Sequence, residues 1–145
     1  MVLSKKILIL EDDLRTLSKI LDKLSKLEDD QPYSFCIVVL TDYLQVQDYI
    51  NNNPKAEFDI ILLDRDCKLA GSFHVLDIER FGADKIIAIS SVPEYNEQVK
   101  KKGVKRIVLK DYQYLDKFAD KVAKEVEDMV TENRIKKLFR SLKKA

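Results

Sequence analysis

Four stretches of the 145-residue sequence place chemically capable side chains directly after short apolar runs. Ile7 to Leu10 is followed by Glu11-Asp12-Asp13, Ile60 to Leu63 by Asp64, Ile86 to Ile89 by Ser90-Ser91, and Ile107 to Leu109 by Lys110. If these runs are neighbouring strands, their ends deliver several carboxylates, a hydroxyl and an ammonium to one pocket. Carboxylates packed that closely repel one another and rise in pKa unless a cation joins them. A hard divalent ion with oxygen ligands meets that requirement, and Mg2+ is the usual cellular choice. An acid after a strand also commonly caps a helix, a role that suits Asp13 better than Glu11 or Asp12.

The apolar pattern defines the elements that hold these residues. The four runs and a fifth, Phe35 to Leu40, are rich in Ile, Val and Leu without alternation, as expected of strands covered on both faces. Amphipathic segments lie between them. Leu14, Leu17, Ile20, Leu21, Leu24 and Leu27 recur at helical spacing after Asp13. Thr41 or Asp42 can cap a second helix carrying Leu44, Val46 and Ile50, ended by Asn51-Asn52-Asn53-Pro54. A third helix uses Val75, Leu76, Ile78 and Phe81 and stops at Gly82, and Pro93 opens a short polar fourth that ends near Gly103. A fifth begins near Tyr112 and carries Leu115, Phe118, Val122, Val126, Met129 and Val130; its apolar phase then slips, so that Thr131-Glu132-Asn133 reads as a kink or a new start. Alternating strands and helices with right-handed crossovers predict an α/β, three-layer, doubly wound parallel sheet of five strands, with ligands beyond the carboxyl ends of the strands.

Composition bounds the function. The length and the 46% hydrophobic content fit one globular domain. The 26 basic and 25 acidic residues nearly cancel, which argues against a chain that coats nucleic acid through charge alone. Cys36 and Cys67 make neither a metal spacing nor a disulfide framework, and free thiols fit a reducing cytoplasm. No apolar run approaches the roughly 20 residues of a membrane span, and the first is too short for the core of a signal peptide. The expectation is a soluble, cytoplasmic protein.

These motifs carry a resemblance. KKILILEDD, ending at Asp13, resembles the opening strand and acidic cluster of the receiver domain of two-component response regulators. FDIILLD, ending at Asp64, resembles that family's third strand and phosphoacceptor aspartate; IIAIS, ending at Ser90, its fourth strand and switch hydroxyl; and GVKRIVLK, ending at Lys110, its fifth strand and lysine. The match runs from about Lys5 to about Val130. It implies a flavodoxin-like sheet of order 2-1-3-4-5, a receiver domain over residues 1–130 and a basic amphipathic helical extension over 131–145. It further implies that Asp64 takes a phosphoryl group from a histidine kinase or histidine phosphotransfer protein. Glu11, Asp12, Asp64 and Asp66, the last through its backbone carbonyl, would hold Mg2+, with Ser90 and Lys110 completing the catalytic set. Phosphoryl transfer spreads negative charge over equatorial oxygens, which is why such a site needs cations and fixed donors. The output would be contact with a downstream protein, and apart from its own phosphorylation and dephosphorylation the domain would not be an enzyme.

The chain also departs from the pattern of that family. Asp111 follows Lys110 where proline is usual, and position 107 is Ile rather than the aromatic whose rotation commonly accompanies the hydroxyl's movement. Lys68 stands where proline is common, and Gly71 falls one residue early. The Asp66 carboxylate could ligate a metal, orient a hydrolytic water or repel phosphate. Two other readings are therefore kept: a pseudo-receiver, acting as a phosphorylation-independent binding or dimerisation module, and a small aspartate-dependent phosphatase with Asp64 as nucleophile and Asp66 as acid. His74 reads as an ordinary helix-start or surface residue, and Cys67 as a structural thiol. The tail from Arg134 holds six basic residues and no acid, which leaves residues 1–133 with 20 basic and 25 acidic. Its stripe Ile135, Leu138, Phe139 and Leu142 could meet nucleic acid, acidic lipid, an acidic partner or a second copy, and the face of the fourth and fifth helices is another route to a homodimer. The plainest reading is a helix packed on its own domain with its lysines in water. Nothing in it resembles a DNA-binding domain.

Overall fold

The computed structural model describes residues 3–30 and 32–144. Five strands, β1 (Leu3–Leu10), β2 (Tyr33–Leu40), β3 (Ile60–Leu63), β4 (Ile86–Ala88) and β5 (Arg106–Ile107), form one parallel sheet of order β2-β1-β3-β4-β5. The order reverses direction between β1 and β3, and both strands are fully buried where they pair, Ile7 with Ile60 through Leu10 with Leu63. This is the doubly wound arrangement expected, with its switch point beside Glu11 and Asp64.

Alternation along each strand sorts its side chains to two layers. Ile7, Ile9, Ile60, Leu62, Ile87 and Ile89 face α1 (Leu14–Asp30) and α5 (Leu115–Lys144), against Ile20, Leu24, Phe118, Val122 and Val126. Leu8, Leu10, Ile61, Leu63, Ile86 and Ala88 face the other layer, against Val46, Ile50, Phe73, Leu76, Phe81 and Val99. That second layer is built from shorter pieces: α2 (Tyr43–Gln45), running on as a π-helical turn over Val46–Asn51, α3 (Ile78–Phe81) and α4 (Pro93–Lys100).

Several local expectations change. Only part of β2 is covered on both faces: as an edge strand beside a short α2 it leaves Cys36 and Val38 exposed in a cleft shared with Tyr49 and Phe58. Leu14 and Leu44, expected in packing stripes, are exposed, and so is Leu109, expected in a strand covered on both faces, because β5 is a half-buried edge strand that stops at Ile107. The third helix is not continuous. A 3-10 turn, Phe73–Val75, capped by Ser72 Oγ, gives way at Leu76, and Asp77 caps a fresh start at α3. Asn51 holds this break from across the layer, donating from Nδ2 to the Val75 carbonyl and accepting from the Asp77 N–H. Arg80 then reaches back to the carbonyls of Ile50, Asn51, Asn53 and Ala56, meeting the acceptors that the end of the π-helical turn leaves free.

The last helix differs most. It starts at Leu115 rather than near Tyr112, because the Asp111 carboxylate accepts the Gln113 N–H and its carbonyl the Tyr114 N–H, making a turn first. From there it runs unbroken to Lys144, with neither kink nor new start at Thr131-Glu132-Asn133. Every residue from 131 to 144 is exposed, so this segment is not buried against its own domain, which it meets through the Glu132–Arg106 pair.

Candidate functional site

The side chains singled out after strands 1, 3, 4 and 5 meet at one end of the sheet. Backbone pairing continues past the strands and fixes them: Glu11 N–H donates to the Leu40 carbonyl (3.4 Å), Asp64 N–H to Leu10 (3.1 Å) and Lys110 N–H to Ser90 (3.2 Å). The functional residues are thus extensions of the sheet, placed by strand register rather than by loop conformation.

Glu11 has no exposed surface. Its Oε2 accepts the N–H groups of Asp12 (3.0 Å) and Asp13 (3.2 Å), while Oε1 touches the Lys110 ammonium as an ion pair and is otherwise without a donor. Asp64, also buried, accepts from Lys110 Nζ at Oδ2 (2.8 Å) and from the Arg65 N–H at Oδ1 (2.8 Å). Carboxylate oxygens of Glu11, Asp12 and Asp64 lie within 4.8 Å of one another. Asp13 instead caps α1, accepting the Thr16 N–H (2.9 Å) and hydroxyl, and that bond to Thr16 holds its pKa low.

Electrostatics follow from this crowding. Burial, then the Asp64 charge, pushes Glu11 up to about 8 despite the nearby ammonium. For Lys110, burial works to lower the pKa, but Glu11 and Asp64 outweigh it and hold the ammonium above its ordinary value. Three acids face one base, so the pocket is short of positive charge. A close carboxylate trio and that charge deficit suit a divalent cation with oxygen ligands.

The fourth strand contributes Ser90, buried, whose Oγ accepts the Val92 N–H (3.1 Å). Its backbone is bracketed by Asn96 of α4, which accepts the Ser90 N–H at Oδ1 and donates to its carbonyl from Nδ2, both at 3.1 Å. Asn96 is itself buried, and sequence reasoning missed it: one amide in a polar helix carries no signal. Also missed was Arg65, whose guanidinium stacks 4.3 Å from the centre of the Tyr95 ring and joins the loop after β3 to α4.

Asp66 is not brought into the trio. Its carboxylate is exposed and pairs with Arg65 Nη1 at 2.7 Å. The surrounding loop is tightly folded, with bridges from Asp42 to Lys68 and from Asp66 to Ser72, and with Leu69 (φ 66°) and Ala70 (φ 56°) in the left-handed region. The early glycine has a local reason: a Cβ on Gly71 would lie 1.9 Å from Cδ1 of the Tyr43 ring. Ile107 is half-buried against the α4 layer, and Cys67 is buried, which raises its thiol pKa. His74 is half-buried; burial, then Lys102 and Arg65, lowers it to about 4. A roomy cleft lined by Lys6, Phe58, Asp59, Arg80 and Lys85 opens at the other end of the strands, and none of the acidic trio lines it.

No protein-family model matches the sequence, and no curated protein matches it. Solved structures do. The chain is similar to the phosphorylated cyanobacterial phytochrome response regulator RcpA, at 18% identity over 86% of this chain and 92% of that one, with a TM-score of 0.65. It is similar to the bacteriophytochrome response regulator RtBRR at 25% identity (85% and 78% covered, TM-score 0.57), and to the Mn2+-bound form of the response regulator Rcp1 at 16% (80% and 89%, TM-score 0.52). With the strand order, the long last helix and the acidic switch point already established, these likenesses identify the fold of this chain as that of a response-regulator receiver domain.

Proposed function

We propose that the protein is a phosphorylation-dependent signalling switch of the cytoplasm. A carboxylate oxygen of Asp64 attacks the phosphorus of a phosphohistidine on a histidine kinase or phosphotransfer protein; the new P–O bond forms as the P–N bond breaks and the histidine nitrogen leaves with its electron pair. The observation that carries this reading is Asp64 held by Lys110 beside two further carboxylates, at the end of a buried strand. Glu11, Asp12 and Asp64 are the residues that would hold Mg2+, and the ion, when bound, supplies the positive charge the three carboxylates lack. Lys110 offers a fixed cation to developing phosphoryl charge. Its present partners, Glu11 and Asp64, keep it protonated, so it acts as an electrostatic clamp and not as a proton donor.

Ser90 supplies the readout. Its hydroxyl sits at the strand end that Asn96 ties to α4, so a shift of Ser90 toward a new phosphoryl oxygen pulls on the first turn of that helix. Arg65 on Tyr95 makes a second tie between the acceptor loop and α4. The output surface is then the α4 face with β5 and α5, presented to a downstream protein or a second copy. The Asp66 carboxylate, paired with Arg65, would bear on phosphoryl lifetime, and its backbone carbonyl would join the proposed Mg2+ set.

The test is incubation with Mg2+ and acetyl phosphate, followed by intact mass for the wild type and Asp64→Asn. A single base-labile phosphoryl addition lost in the variant is expected. Absence of any addition would favour the phosphorylation-independent module, a reading supported by Ile107 packed against the α4 layer where an aromatic rotor would stand. Turnover of a phosphate ester would favour the phosphatase instead.

A further inference from the structure

The exposed end of α5 presents two faces whose orientation is fixed by the helix being unbroken. At 3.6 residues per turn, the buried stripe of Leu115, Phe118, Val122, Val126 and Met129 and the later stripe of Ile135, Leu138, Phe139 and Leu142 lie roughly 150° apart. The slip in apolar phase is therefore a change of side. The first stripe faces the sheet; the second faces away from it, and no packing of α5 on its own sheet can cover it. All four of its side chains are exposed, Leu142 by 64% and Leu138 by 61%. Opposite them, Arg134, Lys136, Lys137, Arg140, Lys143 and Lys144 make a continuous cationic face without an acid.

We propose that this segment is a docking helix for an anionic lipid surface, lying in the plane of the interface with Ile135, Leu138, Phe139 and Leu142 inserted. Charge selects this occupant. Pairing the stripe with that of a second copy would leave all twelve cations on the outer faces of the pair, with no opposite charge to meet. It would also bury only four apolar side chains from each copy, well short of the roughly 800 Å² per partner of a stable interface. An anionic surface instead meets the cations with opposite charge while the apolar side chains leave water. The position of the segment agrees. The helix runs back from the acidic end of the sheet and overhangs the opposite edge, where Glu132 pairs with Arg106 at the start of β5 (2.8 Å). Docked this way, the sheet and the net acidic body of residues 1–133 lie on the side of α5 turned away from the lipid, because the buried stripe and the outer stripe face nearly opposite ways.

The full chain is tested by flotation with vesicles of phosphatidylcholine alone and of equimolar phosphatidylserine and phosphatidylcholine. Binding to the second and not the first is expected, weakening as salt rises. Replacing Lys136, Lys137 and Arg140 together by Gln should weaken it about a hundredfold, from roughly fivefold per cation. Phe139→Gln should weaken it by about tenfold or more with the fold unchanged by circular dichroism, since its side chain packs nothing in the domain. Equal binding to both vesicles, or binding to neither, overturns the proposal. So does a dimer in sedimentation equilibrium that Phe139→Gln dissolves while vesicle binding is absent, which would assign the stripe to a second copy. None of these outcomes depends on phosphoryl transfer at Asp64.

Discussion

Glu11 makes the site's charge deficit measurable as a dependence of stability on pH. Burial and the Asp64 charge raise its pKa from 4.5 to about 8, so between those values the folded protein holds a proton that the unfolded chain has released. Stability from this group must then fall as pH rises through that window, by at most 1.36 kcal/mol per unit. His74 acts in the opposite sense. Its pKa falls from 6.5 to about 4, so the unfolded chain holds the extra proton and stability rises with pH between 4 and 6.5. The two effects offset each other in mildly acidic solution, and the Glu11 effect exceeds the fading His74 one above 6.5. From pH 6.5 to 8, the metal-free protein should lose about 1 kcal/mol in urea unfolding. Glu11→Gln should abolish that slope. Its absolute stability is a poorer guide: the Gln carbonyl would keep the Asp12 and Asp13 N–H groups, leaving its NH2 against the Lys110 ammonium at every pH. Saturating Mg2+ should also flatten the wild-type slope, because the ion binds only the ionised form. A slope retained in Glu11→Gln, or a wild type that gains stability from pH 6.5 to 8, would refute this account of the site.

Two other substitutions probe the supports of the site. Asn96→Ala leaves the buried Ser90 N–H without its acceptor, and should lower stability by about 2 kcal/mol while slowing phosphorylation by acetyl phosphate; unchanged values for both would remove Asn96 from the coupling between Ser90 and α4. Gly71→Ala drives a methyl group into the Tyr43 ring and should cost about 2 kcal/mol, most of it recovered when combined with Tyr43→Ala in a double-mutant cycle; additive losses would show that the ring contact is not the reason for the glycine.

The sequence revealed most about the strands and their ends because those signals are local. A buried parallel strand must be an unbroken apolar run, so the polar residue that ends it, Glu11, Asp64, Ser90 or Lys110, stands out at once. Asn96 and Arg65 stayed hidden because their partners, the backbone of Ser90 and the ring of Tyr95, are brought close only by the packing of α4. The break at Leu76 was hidden for a related reason, since Asn51 and Arg80 stabilise it across the layer through backbone groups that carry no sequence signature. The unbroken end of α5 differs from the sequence expectation because that expectation assumes burial. A stripe that changes side implies a broken helix only if every stripe must reach the same core, and here the second stripe reaches none.

An unbroken α5 also makes the domain and its end segment one rigid rod. The 14 residues beyond Val130 extend it by about 21 Å, so a tilt of about 10° at the sheet would carry the far end through roughly 4 Å. Rotation about the rod is set as strictly, because each residue added or deleted between Val130 and Arg134 would turn the outer stripe by about 100° relative to the sheet. The segment is therefore a pointer whose aim is encoded in residue count: its composition can drift while its direction holds, but a single deletion would re-aim it.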